Sequence, residues 1–189
     1  MTEALSAFFR YSISQKGAIV TLQDELKNVD AYMQIQAFRF ENRISLKTEL
    51  DLEFAPQELY VPKMILQPLV ENSIVHGLEE KEGGGEITVR LRQSEKRLLI
   101  SVSDDGVGMD EEVLSALNAS IRGEGKPPAN GKRSSGIALR NVNRRIQLHF
   151  GENYGRSAHS ILGMGTEVSM TLPVMDINNV APEYLKLIH

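Results

Sequence analysis

The 189-residue sequence predicts a two-layer α/β sandwich, a mixed sheet with helices on one face, preceded by a helical segment. Three observations lead there. Apolar residues repeat at helical spacing through residues 1–40, and the period changes to two from Ile44. Helices and hairpin-paired strands then follow without the regular strand–helix alternation of a doubly wound nucleotide fold.

Taken in order, Ala4, Leu5, Phe8 and Phe9 sit at helical spacing until Gly17 interrupts them. Thr21 with Asp24 resembles a capping box, opening a second helix through Leu22, Leu26, Val29, Met33 and Ile35. Ile44, Leu46, Thr48 and Leu50 alternate as in a half-buried strand. Pro62 suits the first turn of a helix running through Ile65, Leu69, Val70 and Ile74 to Gly77, with a kink or late start at Pro68. Residues 86–93 and 97–103 read as a hairpin, and Asp110 caps a short helix through Val113, Leu114 and Leu117. The glycines, prolines and serines of residues 120–135 predict a long loop of the kind that covers a site. A helix follows over 137–150, then two strands near 157–162 and 167–172 around Gly163-Met164-Gly165. The tail after Pro173 carries no pattern.

Composition narrows the function. A net charge of -4 provides no global basic field for nucleic acid or an anionic membrane. With no cysteine there is neither a disulfide framework nor a thiolate metal site. No apolar run approaches the roughly 20 residues that span a bilayer, and Met1–Arg10 lacks the order of a signal peptide.

Chemistry concentrates in four segments. Asp104-Asp105-Gly106-Val107-Gly108-Met109 follows a predicted strand. Alone it suits a tight turn, or a carboxylate that accepts from an exocyclic amine while side-chain-free backbone lets a flat ring approach. Residues 66–77 place Asn72 and His76 one helical turn apart, and an amide oxygen is a hard ligand suited to Mg²⁺. Ser134-Ser135-Gly136-Ile137-Ala138-Leu139-Arg140-Asn141 is a glycine-containing turn opening a helix, whose free N–H groups favour phosphate. Gly163-Met164-Gly165-Thr166 would pass alone as a hairpin turn. No Walker-type phosphate loop occurs.

In sequence, these segments resemble the N, G1, G2 and G3 boxes of the Bergerat ATP-binding fold, shared by histidine kinases, gyrase-type ATPases, Hsp90-like chaperones and MutL-like repair proteins. Leu66-Gln67-Pro68-Leu69-Val70-Glu71-Asn72, Tyr32-Met33-Gln34-Ile35-Gln36 with Arg39-Phe40, and Asn141-Val142 with Arg145 are similar to sensor histidine kinases of the YesM/LytS type. The resemblance covers roughly residues 4–174. It implies ATP and Mg²⁺ as cofactors, Asn72 as metal ligand and His76 as a neighbour of the triphosphate. Asp104 becomes the adenine-N6 acceptor, with Gly106 and Gly108 giving the base room and Thr166 supporting the pocket. Gly136, with Leu139 in the same box, becomes the phosphate-facing end of the lid.

The resemblance also implies a division of the chain. Residues 1–40 form the C-terminal part of a helical dimerisation region, 41–175 the ATP-binding catalytic domain and 176–189 a tail. The whole protein would be a homodimer that passes phosphate to a response regulator. This part would be cytoplasmic, joined to a membrane only through segments outside the chain.

Three positions depart from the family pattern, and one element of it is missing. Ala138 replaces a usual glycine, Asp105 a common asparagine, and Val75 a frequently polar residue. None of His76, His149, His159 and His189 stands in the Q-x-x-P-H-F-type context of a phosphoacceptor. The chain is therefore expected to bind ATP without phosphorylating itself. Two alternatives stay open: a hydrolase of the gyrase or chaperone kind, and a non-catalytic nucleotide-sensing or dimerisation module. The hydrolase is disfavoured because Pro68 stands where its general base belongs, one turn before Asn72.

Overall fold

Apolar alternation selects the inner face of a five-stranded sheet in the computed structural model, which describes residues 2–13, 18–79, 81–124 and 133–176. The described chain runs α1 (Thr2–Ile13), β1 (Ile19–Thr21), α2 (Leu22–Arg39), β2 (Ile44–Asp51) and β3 (Tyr60–Pro62). It continues through α3 (Gln67–Asn72), a π-helical turn (Ser73–Leu78), β4 (Gly85–Ser94), β5 (Arg97–Asp104) and α4 (Glu111–Arg122). It ends in α5 (Arg133–Phe150), β6 (Gly155–Ile161) and β7 (Gly165–Pro173). The sheet order is β2-β4-β5-β7-β6, with β2 parallel to β4 and every other pairing antiparallel, so the sheet is mixed as expected.

Ile87, Val89 and Leu91 of β4 share the buried face with Leu98, Ile100 and Val102 of β5 and with Val168, Met170 and Leu172 of β7. Helical residues Leu69, Ile74, Leu139 and Ile146 complete one core against it. The other face is polar, with Arg90 bonded to Glu49 at 2.7 Å and Arg92 to Asp51 at 3.3 Å. The inner row of β5 has a consequence for function. Continuing 98, 100, 102 by one more step places the Asp104 carboxylate on the apolar side, at the sheet's end.

Thr21 caps α2 as the sequence predicts, accepting from Asp24 N–H at 3.1 Å. Leu22, Val29 and Tyr32 of α2 enter the same core cluster as the sheet. α1 lies along α2 through the Phe8 and Tyr32 rings, 5.8 Å between centroids.

The helix expected from Pro62 begins later. Pro62 ends β3, paired with Ile19 in a small two-stranded sheet, and α3 starts at Gln67. The intervening residues have another structure. Met64 takes a left-handed φ of 60°, and the N–H groups of Met64, Ile65 and Leu66 converge on the buried Glu25 carboxylate at 2.6, 2.8 and 3.0 Å. Three backbone donors converging on one anion form a nest, here filled by a side chain of α2. Pro68 then falls in the first helical turn, where a missing N–H leaves no bond unmade.

Two further boundaries differ from expectation. α5 starts at Arg133, so residues 133–136 of the expected loop and glycine turn form the helix's first turn. α4 extends to Arg122 and ends on Gly123 with a left-handed φ of 82°. Residues 125–132 of the expected loop lie outside the described residues. The hairpin β4–β5 and the Asp110 cap, which accepts from Val113 N–H at 2.8 Å, are as predicted. Among the described residues no helix is long and apolar enough to cross a membrane.

Candidate nucleotide site

Asp104 is the centre of the site. It is 7% exposed, and its Oδ1 accepts from Gly106 N–H at 3.1 Å. Burial pushes its carboxyl above the ordinary value, opposed by hydrogen bonds from the Ser73 hydroxyl and the backbone at Gly106 and Thr166. Ser73 directly follows Asn72, so the end of the asparagine helix and the acid that ends β5 meet side chain to side chain. The sequence singled out both segments but not the serine that joins them.

The two segments are also stapled through backbone. Val107 N–H donates to the Gly77 carbonyl at 3.0 Å, and a Cβ on Gly106 would overlap the Gly77 carbonyl and Cα. A Cβ on Gly77 would meet Asp104 Cγ at 2.7 Å. Gly108, at φ 65°, abuts the Ile161 backbone, with Ile161 C at 2.8 Å from an added Cβ. The space that a Cβ would take at Gly106 and Gly108 is thus occupied by neighbouring backbone.

The β6–β7 end closes the ring. Thr166 pairs with Asp104 across β5 and β7, and its hydroxyl lies 2.9 Å from Ser160 Oγ. Ser160 Oγ also bonds the Gly165 carbonyl at 2.9 Å and accepts from Met109 N–H at 2.8 Å. Gly163 N–H donates to Val107 O at 2.7 Å. Ser160 is a second residue missed from sequence, because a strand serine carries no signal until its neighbours are known.

Asn72 is 6% exposed, and among the described residues its Oδ1 has no hydrogen-bond partner. A buried amide oxygen without a partner is costly, and a cation or its water would satisfy it. His76 is half-buried, in the π-helical turn where Glu79 N–H reaches back five residues to Ile74 O at 2.8 Å. Such wide turns occur mostly as single bulges within helices, frequently at functional sites. Val75 is exposed beside it. Among the described residues no three His, Cys, Asp or Glu side chains cluster as a metal site.

Asp105, expected to add charge near the site, turns outward. Burial works against its charge, but Lys81 Nζ at 2.9 Å and Glu86 N–H at 2.9 Å outweigh it and hold the carboxyl low. Gly136 lies in the first turn of α5 and Ala138 in the body of that helix. Leu139 is fully buried in the core, its carbonyl accepting from Arg156 Nη1 at 3.3 Å.

A pH prediction follows from Asp104. The native protein holds this proton more tightly than an unfolded chain with a value near 3.8, so its stabilising share is complete below 3.8 and lost as pH rises through the native value. Denaturant midpoints measured across that window should fall for the wild type relative to Asp104→Asn. Parallel curves would exclude a raised carboxyl.

Residues 61–176 match the model of the histidine kinase-, DNA gyrase B- and HSP90-like ATPases, and residues 1–44 match a histidine kinase model. The sensor histidine kinase YesM of Bacillus subtilis (strain 168) is 38% identical over 173 residues, 92% of this chain and 27% of that protein. The chain thus spans about a quarter of that relative's length. The histidine kinase domain of a blue-light activated kinase from Erythrobacter litoralis shares the fold, with TM-score 0.58 and 16% identity over 99% of this chain and 80% of that one. Histidine kinase ThkA, solved in complex with the response regulator protein TrrA, gives TM-score 0.56 and 13% identity over 92% of this chain and 47% of that one. With Asn72, Asp104 and Thr166 gathered at one end of this sheet, the chain belongs to the histidine kinase-, DNA gyrase B- and HSP90-like ATPase family and is homologous to the catalytic domains of sensor histidine kinases.

Proposed function

We propose that this chain binds Mg·ATP as the catalytic part of a two-component sensor histidine kinase. The γ-phosphate goes to a histidine other than its own four, and thence to a response-regulator aspartate. The observation that carries the reading is the unpartnered, buried Oδ1 of Asn72, one residue from the serine that bonds Asp104.

Asp104 accepts from the adenine amino group, and Thr166, its neighbour across β5 and β7, supports the pocket together with Ser160. Asn72 Oδ1 takes one position on Mg²⁺, His76 faces the triphosphate, and the N–H groups around Gly136 in the first turn of α5 receive phosphate oxygens. Leu139 anchors that turn from behind, in the core. Mg²⁺, held by Asn72, would supply positive charge to offset the charge that develops on the transferring phosphoryl group. Transfer is favoured over hydrolysis. Pro68 offers no base, and Glu71 is engaged by Gln67 Nε2 at 2.6 Å.

Residues 1–40 belong to a helical dimerisation region, 41–175 to the catalytic domain and 176–189 to a tail. Homodimerisation is supported by α1, whose Leu5, Phe9 and Ile13 are 40%, 51% and 75% exposed. The chain is a cytoplasmic part of a sensor whose membrane segments lie elsewhere.

The test is binding of a non-hydrolysable ATP analogue with and without Mg²⁺. Asn72→Ala is expected to weaken the Mg²⁺-dependent affinity about tenfold or more, as loss of a charge-assisted contact does, and to leave metal-free affinity near wild type. Equal affinity of both proteins in Mg²⁺ would remove Asn72 from the metal. A separate protein bearing a family-type acceptor histidine should become labelled from γ-labelled ATP, and this chain alone should not.

A further inference from the structure

Glu25 lies on α2, outside the nucleotide boxes, yet it is fully buried and bonded to the beginning of the asparagine helix. Its Oε1 accepts from Met64 N–H at 2.6 Å, and its Oε2 from Ile65 at 2.8 Å and Leu66 at 3.0 Å. The hydroxyl of Tyr11, on α1, donates to the same Oε1. Arg145 of α5 donates to the Met64 carbonyl at 2.7 Å, closing the turn from the other side. One turn on, Asn28 Nδ2 donates to Gln67 Oε1 at 2.7 Å, and Gln67 Nε2 to Glu71, the residue before Asn72.

The helix carrying Asn72 is thus held at its origin by a carboxylate of α2, which α1 touches through one hydroxyl. Met64 is the only non-glycine at positive φ in this turn, a conformation that persists where surroundings over-determine it. Release of the carboxylate would free three N–H groups and the left-handed residue together, and α3 is only six residues long. A shift at its origin therefore reaches Asn72 within two turns.

The geometry points to Glu25 as a positioning residue for the Asn72 metal–phosphate subsite, with the Tyr11–Glu25 hydrogen bond as the contact through which α1 sets it. This rests on the proposed role of Asn72. Glu25 touches neither nucleotide nor metal. Its action is to fix where the Asn72 oxygen stands relative to Asp104, so displacement of α1 along α2 changes affinity for the phosphate end and spares the adenine end.

The experiment measures binding of an ATP analogue by the 189-residue chain, with and without Mg²⁺, in wild type, Tyr11→Phe, Glu25→Gln and Asn72→Ala. Tyr11→Phe removes one hydroxyl from a ring that still packs against the core, so the fold is expected to be retained. The Mg²⁺-dependent gain in affinity is expected to fall about threefold in Tyr11→Phe and about tenfold in Glu25→Gln, the range for mutations that alter coupling between sites. Metal-free affinity should stay within about twofold of wild type, because the Asp104 end is undisturbed. A purely structural role would lower both affinities together, and that result overturns the proposal. An unchanged Mg²⁺ gain in Tyr11→Phe overturns it also. Failure of the wild type to bind, or an unchanged Mg²⁺ gain in Asn72→Ala, would instead strike the reading of the site on which it rests.

Discussion

Asp104→Asn is expected to weaken binding of an ATP analogue about 100-fold while leaving the melting temperature at or above that of wild type. The two halves have one cause. The carboxylate is 7% exposed, and burial raises its proton affinity despite donors from Ser73, Gly106 and Thr166. Its charge is therefore costly to the empty protein, and a neutral amide of the same shape removes that cost. The bound nucleotide is what gains from the charge, because an exocyclic amine donates to a carboxylate more strongly than to a neutral acceptor. Isothermal titration and thermal unfolding of the two proteins check both halves. Binding retained within about threefold would dismiss Asp104 as the base acceptor.

The second large effect is structural. Gly106→Ala is expected to cost about 3 kcal/mol and lower Tm by roughly 6–12 °C, at the upper end for overpacking in a domain of this size. The added Cβ meets carbonyl and Cα atoms of Gly77, not the end of a flexible side chain. Relief requires the loop after β5 to leave the π-helical turn, which also breaks the bond from Val107 N–H to Gly77 O. Gly163→Ala is the control. Gly163 has φ 78° but nothing within 4 Å of an added Cβ, so only backbone strain of about 1 kcal/mol is at stake. Differential scanning calorimetry of both variants separates collision from strain. Equal shifts would mean that the close approach of residues 77 and 106 contributes nothing.

Much of this molecule is legible in its sequence, for local reasons. The two-residue period of 86–93 and 97–103 places a hairpin because side chains of a strand alternate between faces. Thr21 and Asp110 announce their helices because a cap is a bond between neighbours in sequence. The order of the asparagine helix, the acid and the final glycine turn identifies the family.

What tertiary structure alone decided involves contacts across long separations. Pro62 reads as a helix start, but its pairing with Ile19 makes it a strand end. The true start at Gln67 depends on Glu25, some 40 residues away, filling the nest at 64–66. Ser73 and Ser160 are ordinary serines until the sheet brings Asp104 and Thr166 against them. The glycines at 106 and 108 are visible in sequence, yet the backbone they admit belongs to residues 77 and 161. Sequence by itself determined the longer helices, the strands of the main sheet and the kind of site, since periodicity and caps are local. The tertiary structure decided where Asn72 stands relative to Asp104, because that placement is set by packing of α2 on α3 and of the π-helical turn on β5.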